Sequence, residues 1–213
     1  RVGSRGSRLA LTQAELAAAR LRGPGIEIAL VPITTAGDRD RTKPFGEIGS
    51  RGVFVKELEE ALLEQRIDVA VHSAKDMTAT DPEELVVGAY LPRDDPRDAL
   101  CGSDALRPGM RVGTASVRRR AQLLALEPTL QIEPLRGNID TRLRKRGERG
   151  LDAVVLAACG LDRLGLGREI GHRFDPEEVL PEAGQGALAL QVRAGEEFLA
   201  AAADDPETRT RVE

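Results

Sequence analysis

Arg93-Asp94-Asp95-Pro96-Arg97-Asp98 is the stretch on which the fold turns: five charged residues and a proline, which reads as a crossing between two lobes. On both sides of it the chain reads as β/α alternation. Toward the N-terminus, Ala10, Ala14, Ala17 and Leu21 recur at i, i+4, i+7 and i+11, which predicts a helix over 7–21 ended by Gly23-Pro24-Gly25. A β-rich run over 26–34 follows. A helix over 53–64 then sets Phe54, Leu58 and Leu62 against Glu57, Glu60 and Glu64, and short apolar strands cover 69–72 and 85–91. Toward the C-terminus, strands over 111–114, 130–135 and 153–158 alternate with helices over 117–126, with Val117, Ala121 and Leu124 inward, and 139–146. The wholly apolar run 153–158 suits a buried parallel sheet, whereas 187–192 reads as an alternating strand behind the punctuation of 181–186. The expectation is a two-lobed α/β protein with a ligand cleft between its lobes.

The chain has 213 residues, 41% of them apolar and 31% charged, which excludes a disordered segment and a disulfide miniprotein. Its five aromatics (Phe45, Phe54, Tyr90, Phe174, Phe198) leave the cores aliphatic and give little platform for stacking single-stranded nucleic acid. The net charge of −4 argues against a general polyanion binder. Its distribution is uneven. Residues 118–149 carry nine basic against four acidic side chains, hence +5, leaving −9 for the rest, and that asymmetry points to an anionic ligand. Cys101 and Cys159 lack the spacing of a disulfide framework or a zinc site, so no metal and a reduced, cytoplasmic setting are expected. No apolar run approaches the length of a membrane span, and neither a membrane nor a nucleic-acid partner is expected. Asp205 with Pro206 behind it reads as the cap of a helix that continues past Glu213, so the chain is expected to be part of a longer one.

Chemistry-bearing residues gather where strands end. Gly113-Thr114-Ala115-Ser116 brings two hydroxyls to a helix N-terminus, with Arg118 and Arg119 a turn further on. The plainer alternative is a Ser116 cap before a solvated basic face. Leu135-Arg136-Gly137-Asn138 again ends a strand at an arginine, with Arg142 in the next helix, whereas Arg144, Lys145 and Arg146 read as a solvated face. His72-Ser73-Ala74-Lys75-Asp76 leaves an apolar strand with a cation beside a carboxylate, an arrangement that a surface ion pair also explains. His172 lacks partners at metal spacing, and no P-loop, G-x-G-x-x-G, G-x-S-x-G or H-E-x-x-H occurs.

These stretches form an ordered set with Gly3-Ser4-Arg5-Gly6-Ser7-Arg8-Leu9-Ala10, Gly52-Val53-Phe54-Val55-Lys56-Glu57-Leu58, Asp95-Pro96-Arg97-Asp98-Ala99, Leu161-Asp162-Arg163-Leu164-Gly165-Leu166 and Gly184-Gln185-Gly186. Across essentially the whole chain the set resembles the porphobilinogen deaminase (hydroxymethylbilane synthase) family. The resemblance implies a transferase of tetrapyrrole and heme biosynthesis that condenses four porphobilinogen molecules head to tail into linear hydroxymethylbilane, releasing ammonia each time. It implies Asp76 as the catalytic carboxylate beside an azafulvene cation. It further implies a dipyrromethane cofactor held by Ser73, Lys75, Thr114, Ser116, Arg118, Arg119, Arg136, Gly137 and Gln185, and substrate held by Arg5, Ser7, Asn138, Arg142 and Arg163.

By the same resemblance the two lobes are those of type II periplasmic-binding proteins: 1–92 completed by 184–203, and 93–183, with 204–213 opening a third domain absent from this chain. The cofactor is covalently bound through a cysteine in that third domain, so this chain alone is expected to be inactive, and the enzyme a monomer. Two departures bear on affinity. Gly49-Ser50-Arg51-Gly52 stands where the family has Gly-Gly-Lys-Gly, and Ala115 replaces a common Ser. The competing expectation is a non-catalytic anion-binding receptor or regulator effector domain, which would share the fold but has little use for a carboxylate beside its ligand.

Overall fold

The computed structural model describes residues 1–35, 55–78 and 82–213; Phe45, the Gly49-Ser50-Arg51-Gly52 loop and the opening of the helix expected over 53–64, Phe54 included, lie outside them. The chain divides into two units, Arg1–Asp94 with Ala187–Glu213, and Asp95–Gly186. The first unit holds strands β1 (Val2–Arg5), β2 (Leu30–Ile33), β3 (Val69–Ser73), β4 (Leu85–Tyr90) and β10 (Leu188–Arg193), with helices α1 (Arg8–Leu21), α2 (Lys56–Leu63) and α6 (Pro206–Val212). The second holds β5 (Asp98–Cys101), β6 (Arg111–Gly113), β7 (Gln131–Glu133), β8 (Ala153–Ala157) and β9 (Ile170–Arg173), with α3 (Val117–Leu126), α4 (Ile139–Glu148) and α5 (Ala158–Arg163).

The two sheets repeat one topology, in the orders β2-β1-β3-β10-β4 and β7-β6-β8-β5-β9. In each, three strands run parallel through helical crossovers, Val2 facing both Leu30 and Val69, and Val112 facing both Ile132 and Ala153. The fourth strand is antiparallel to its neighbours: β10 lies against β3 and β4, and β5 against β8 and β9. That strand is in each case the first one the chain forms on arriving from the other unit. Both faces of each sheet are covered. In the first unit Val69, Val71 and Leu190 meet Ala14, Ala17 and Leu21 of α1 on one side, and Ala70 meets Leu58 and Leu62 of α2 on the other. In the second, Leu100 and Val155 meet Leu123 of α3, while Ala99, Cys101 and Val154 turn to Leu161 of α5 and Leu143 of α4. The period of two along β5 and β8 thus separates two aliphatic cores.

Three sequence expectations are corrected by this packing. Strand β10 is buried on both faces, Gln191 included, because it sits between two other strands and not at a half-solvated edge. Strand β8 is buried as expected but in a mixed sheet, parallel to β6 and antiparallel to β5. Helix α3 has the expected bounds but a rotated inward face: Val117 is 82% exposed and Ala121 is exposed, Arg119 and Leu123, four residues apart, are buried, and of the expected residues only Leu124 packs, partly buried, against the core. The reason is a buried carboxylate that draws an arginine inward.

Residues 204–213 group with the first unit. Asp205 caps α6 by accepting from the Thr208 amide at 2.9 Å, the Arg209 guanidinium lies over the Tyr90 ring at 5.3 Å, and Thr208 Oγ1 accepts from the Arg93 amide at 2.9 Å.

Candidate functional site

In each unit most of the residues singled out by sequence follow the carboxyl ends of parallel strands, the edge where α/β sheets present ligand-binding groups, in the turn or the helix behind them; Gln185 instead precedes the antiparallel β10. Arg5 ends β1, and Ser7 caps α1 by accepting from the Ala10 amide at 3.3 Å. The exit of β6 is built the same way. Thr114 Oγ1 accepts from the Ser116 amide at 3.2 Å, and Ser116 Oγ accepts from the Arg119 amide at 3.3 Å. The capping alternative for Ser116 is therefore what the structure contains, and it leaves the hydroxyl's own proton to donate outward.

Past β7, Gly137 adopts φ +123°, and a Cβ there would stand 2.7 Å from Thr141 Cγ2, so only glycine makes this turn into α4. Asn138 occupies the cap position without a side-chain bond to the helix. Arg142 Nε donates to Gly137 O at 2.6 Å, and Lys145 Nζ donates to Arg136 O at 3.2 Å. Lys145 and Arg146 are half-buried, which corrects the expectation of a solvated face; of that trio only Arg144, paired with Glu148, is exposed. Arg163, on α5 behind β8, donates to Gly186 O at 2.6 Å.

Asp98 is the residue that sequence reasoning passed over. It opens β5, is wholly buried, and accepts Arg119 Nη2 at 2.7 Å and Gln185 Nε2 at 2.9 Å on Oδ1, and Arg118 Nη2 at 2.7 Å on Oδ2. Burial alone would raise its pKa, but Arg119, Gln185 and Arg118 together hold it below the ordinary carboxylate range. Arg119 also donates to Val155 O, and Gln185 to Pro96 O. Both side chains thus bond inside the unit, although the buried Arg119 Nε has no hydrogen-bond partner among the described residues. Asp98 takes donors of both side chains that the family resemblance assigns to the cofactor. Arg118 is bound to Asp98 and to Glu182 but remains partly exposed. The signal for Asp98 was present, a lone acid opening the apolar run Ala99-Leu100-Cys101.

In the first unit β3 runs into a single 3₁₀ turn, Ala74–Asp76. Ser73 Oγ donates to Gln13 Oε1 at 3.4 Å, and Lys75 and Asp76 are half-buried. Among the described residues no hydrogen bond or ion pair reaches the Asp76 carboxylate. Behind it a buried chain runs from His72 Nε2 to Gln191 Oε1, and from Gln191 Nε2 to Glu59 Oε1, each 3.2 Å long. Burial pushes the His72 pKa down to about 4, so its ring is neutral near pH 7 and brings no cation to Asp76.

Neither cysteine presents a nucleophile. Both are buried, and burial pushes the Cys101 thiol up to about 11. Among the described residues no group of His, Cys, Asp and Glu is arranged to hold a metal ion, and no helix is long and apolar enough to cross a membrane.

With this geometry in view, comparison with known proteins gives one consistent result. The family model described as porphobilinogen deaminase, dipyromethane cofactor binding domain, matches residues 1–201. Curated proteins named porphobilinogen deaminase are 48% identical over 92% of the chain in Syntrophotalea carbinolica and 45% identical over all of it in Syntrophus aciditrophicus. A third, from Pelobacter propionicus, is 47% identical over 91% of the chain. The chain spans 65%, 72% and 64% of the lengths of these relatives. Among solved structures, a periplasmic substrate-binding protein of an ABC transporter from Coxiella burnetii aligns at TM-score 0.54 and 15% identity, covering 99% of this chain and 94% of that one. A putative methionine-binding lipoprotein from Bacillus subtilis aligns at TM-score 0.54 and 14% identity, over 99% and 88%. At such identity these two are similar in fold alone.

Proposed function

The chain belongs to the porphobilinogen deaminase family, and from that premise we propose that the protein joins four porphobilinogen molecules head to tail into linear hydroxymethylbilane with release of ammonia at each step. The observation that carries the proposal is the Asp76 carboxylate, half-buried past the end of β3 and unpaired among the described residues. Its negative charge stabilises the azafulvene cation left when the aminomethyl group of the substrate loses ammonia, and being fixed beforehand it needs no reorganisation as the charge develops. A receptor for anions would be weakened by such a group, which sets this reading apart from the anion-binding alternative that shares the fold.

The residues present suit the dipyrromethane cofactor in part. Ser116 offers a hydroxyl at the start of α3 while Thr114, buried beside it, holds the Ser116 amide, Arg118 and Arg136 offer guanidinium donors, Gly137 lets backbone approach closely, and Lys75 and Ser73 bring a cation and a hydroxyl to the β3 exit. Arg119 and Gln185 do not suit direct contact, since both are buried against Asp98; they are assigned the support of Arg118. When bound, the cofactor supplies the pyrrole carbon onto which the first substrate is joined. Its covalent anchor is assigned to a cysteine outside this chain, because Cys101 and Cys159 are both buried. Arg5, Ser7, Asn138, Arg142 and Arg163 are assigned to the acetate and propionate groups of incoming substrate.

The 213-residue chain alone, incubated with porphobilinogen, gives no sustained hydroxymethylbilane, followed as the uroporphyrin that forms from it. The full-length enzyme does. Sustained product from the chain alone would withdraw the assignment of the anchor. Binding is testable separately by calorimetry. A dipyrromethane bearing acetate and propionate groups binds the chain more tightly than sulfate does, and Arg136→Ala weakens it about tenfold or more, the scale of one hydrogen bond to a charged group. Arg144→Ala, on the exposed and Glu148-paired face, changes binding by less than about 0.5 kcal/mol. Equal affinities for the two ligands, or equal effects of the two substitutions, would favour the receptor.

A further inference from the structure

The segment leading from β9 to β10 is tied to α3 by the same arginine that the family motifs assign to a ligand. Arg118 Nε lies 3.1 Å from Glu182 Oε2, its Nη1 donates to Leu180 O, and its Nη2 holds Asp98. Beside it the Leu180 amide donates to Gln122 Oε1 at 2.7 Å, and Gln122 Nε2 donates back to Leu180 O at 3.1 Å. The two carboxylates on Arg118 differ in kind. The Asp98 side chain is 0% exposed and could not be displaced without stranding a buried charge, whereas Glu182 is 30% exposed and its carboxylate already reaches water.

We infer that Glu182 is an internal competitor of the ligand: it occupies the solvent-reaching side of the Arg118 guanidinium, and a carboxylate of the pyrrole chain binds there by replacing it. The inference rests on the reading of Arg118 as a carboxylate-binding residue. It makes Glu182 a determinant of specificity. A lone small anion must displace a carboxylate that the chain itself holds at high effective concentration, whereas a pyrrole chain already anchored elsewhere presents its next carboxylate on equal terms. Exchange at Arg118 also releases the Glu182 bond while the Arg118 and Gln122 bonds to Leu180 remain, so occupancy loosens the Glu182 end of this segment.

The test is calorimetric titration of the 213-residue chain with a dipyrromethane bearing acetate and propionate groups, and with sulfate, in Glu182→Gln, Glu182→Ala, Arg118→Ala and the Glu182→Gln, Arg118→Ala double variant. Both Glu182 variants are expected to bind the dipyrromethane about two- to fivefold more tightly, with at least as large a gain for sulfate. The gain disappears when Arg118 is alanine. In the unaltered chain the dipyrromethane speeds hydrogen exchange of the 180–186 amides, a readout that does not depend on any substitution. If Arg118→Ala weakens binding while neither Glu182 variant tightens it and the 180–186 amides exchange as before, the competitor is refuted and the ligand role of Arg118 stands. If Arg118→Ala leaves binding unchanged, both are refuted. A gain that persists in the double variant also overturns the inference.

Discussion

Asp76→Asn in the full-length enzyme lowers turnover by about 100- to 1,000-fold, the loss that follows removal of one fixed group matched to a developing charge. The substitution keeps size and hydrogen-bonding capacity and removes only the charge, so binding of substrate carboxylates is expected to change little. The loss therefore appears in kcat more than in KM. Asp76→Glu retains the charge at a shifted position and keeps an intermediate rate. No cation among the described residues pairs with Asp76, and His72 behind it is neutral, so none of these masks the effect. Turnover of Asp76→Asn above about a third of the parent rate would remove Asp76 from the chemistry.

The second large effect is on stability. Asp98→Ala leaves the guanidinium of buried Arg119 and one side of Arg118 without their carboxylate, and breaking such a buried pair by removing one partner costs about 3 to 5 kcal/mol. Urea denaturation measures it, and a loss below about 1 kcal/mol would show that the pairing is dispensable. The sign with pH follows from the direction of the shift. Since folding holds the Asp98 pKa below its unfolded value, its contribution is complete above the unfolded pKa of about 3.9 and disappears as pH falls through the lower, folded value. Stability of the parent chain therefore declines on acidification below about pH 4 more steeply than that of Asp98→Asn.

What the sequence disclosed and what it hid divide along one line. Helix α1 was legible to within one residue, because the alanine spacing is a local signal, and the β/α alternation was legible in both units, whereas the short strands β1, β5 and β9 and helix α5 carry no such pattern and were not read. The inward face of α3 was not, because apolarity was taken as the mark of burial, and here a carboxylate from β5, more than twenty residues earlier in the chain, pulls Arg119 inside and leaves Val117 in water. The same limit applies to intramolecular partners near the candidate site. Arg119 and Gln185 are the residue types that recognise a carboxylate, and they do so, but the carboxylate belongs to Asp98. Residue type announces the chemistry of a side chain, whereas its partner is decided by strand order, which no local pattern carries. Strand β10 illustrates this again: its residues alternate as if half-exposed, yet its place between β3 and β4 buries them all but the last.

That place in the sheet also sets an order of events at the ribosome. The unit spanning Asp95–Gly186 is continuous and has all its strands as soon as it has been synthesised, but the unit begun before it lacks an inner strand until Arg193 has emerged. At ordinary elongation rates of about 5 to 20 residues per second, the stretch from Tyr90 to Arg193 takes roughly 5 to 20 s to make. Through that interval β3, the strand that delivers Asp76, has an open edge where β10 will lie, and an open edge is a template for pairing with another nascent chain. The older half of the molecule is thus the later one to close, and it is there that holding factors acting during translation have the most to protect.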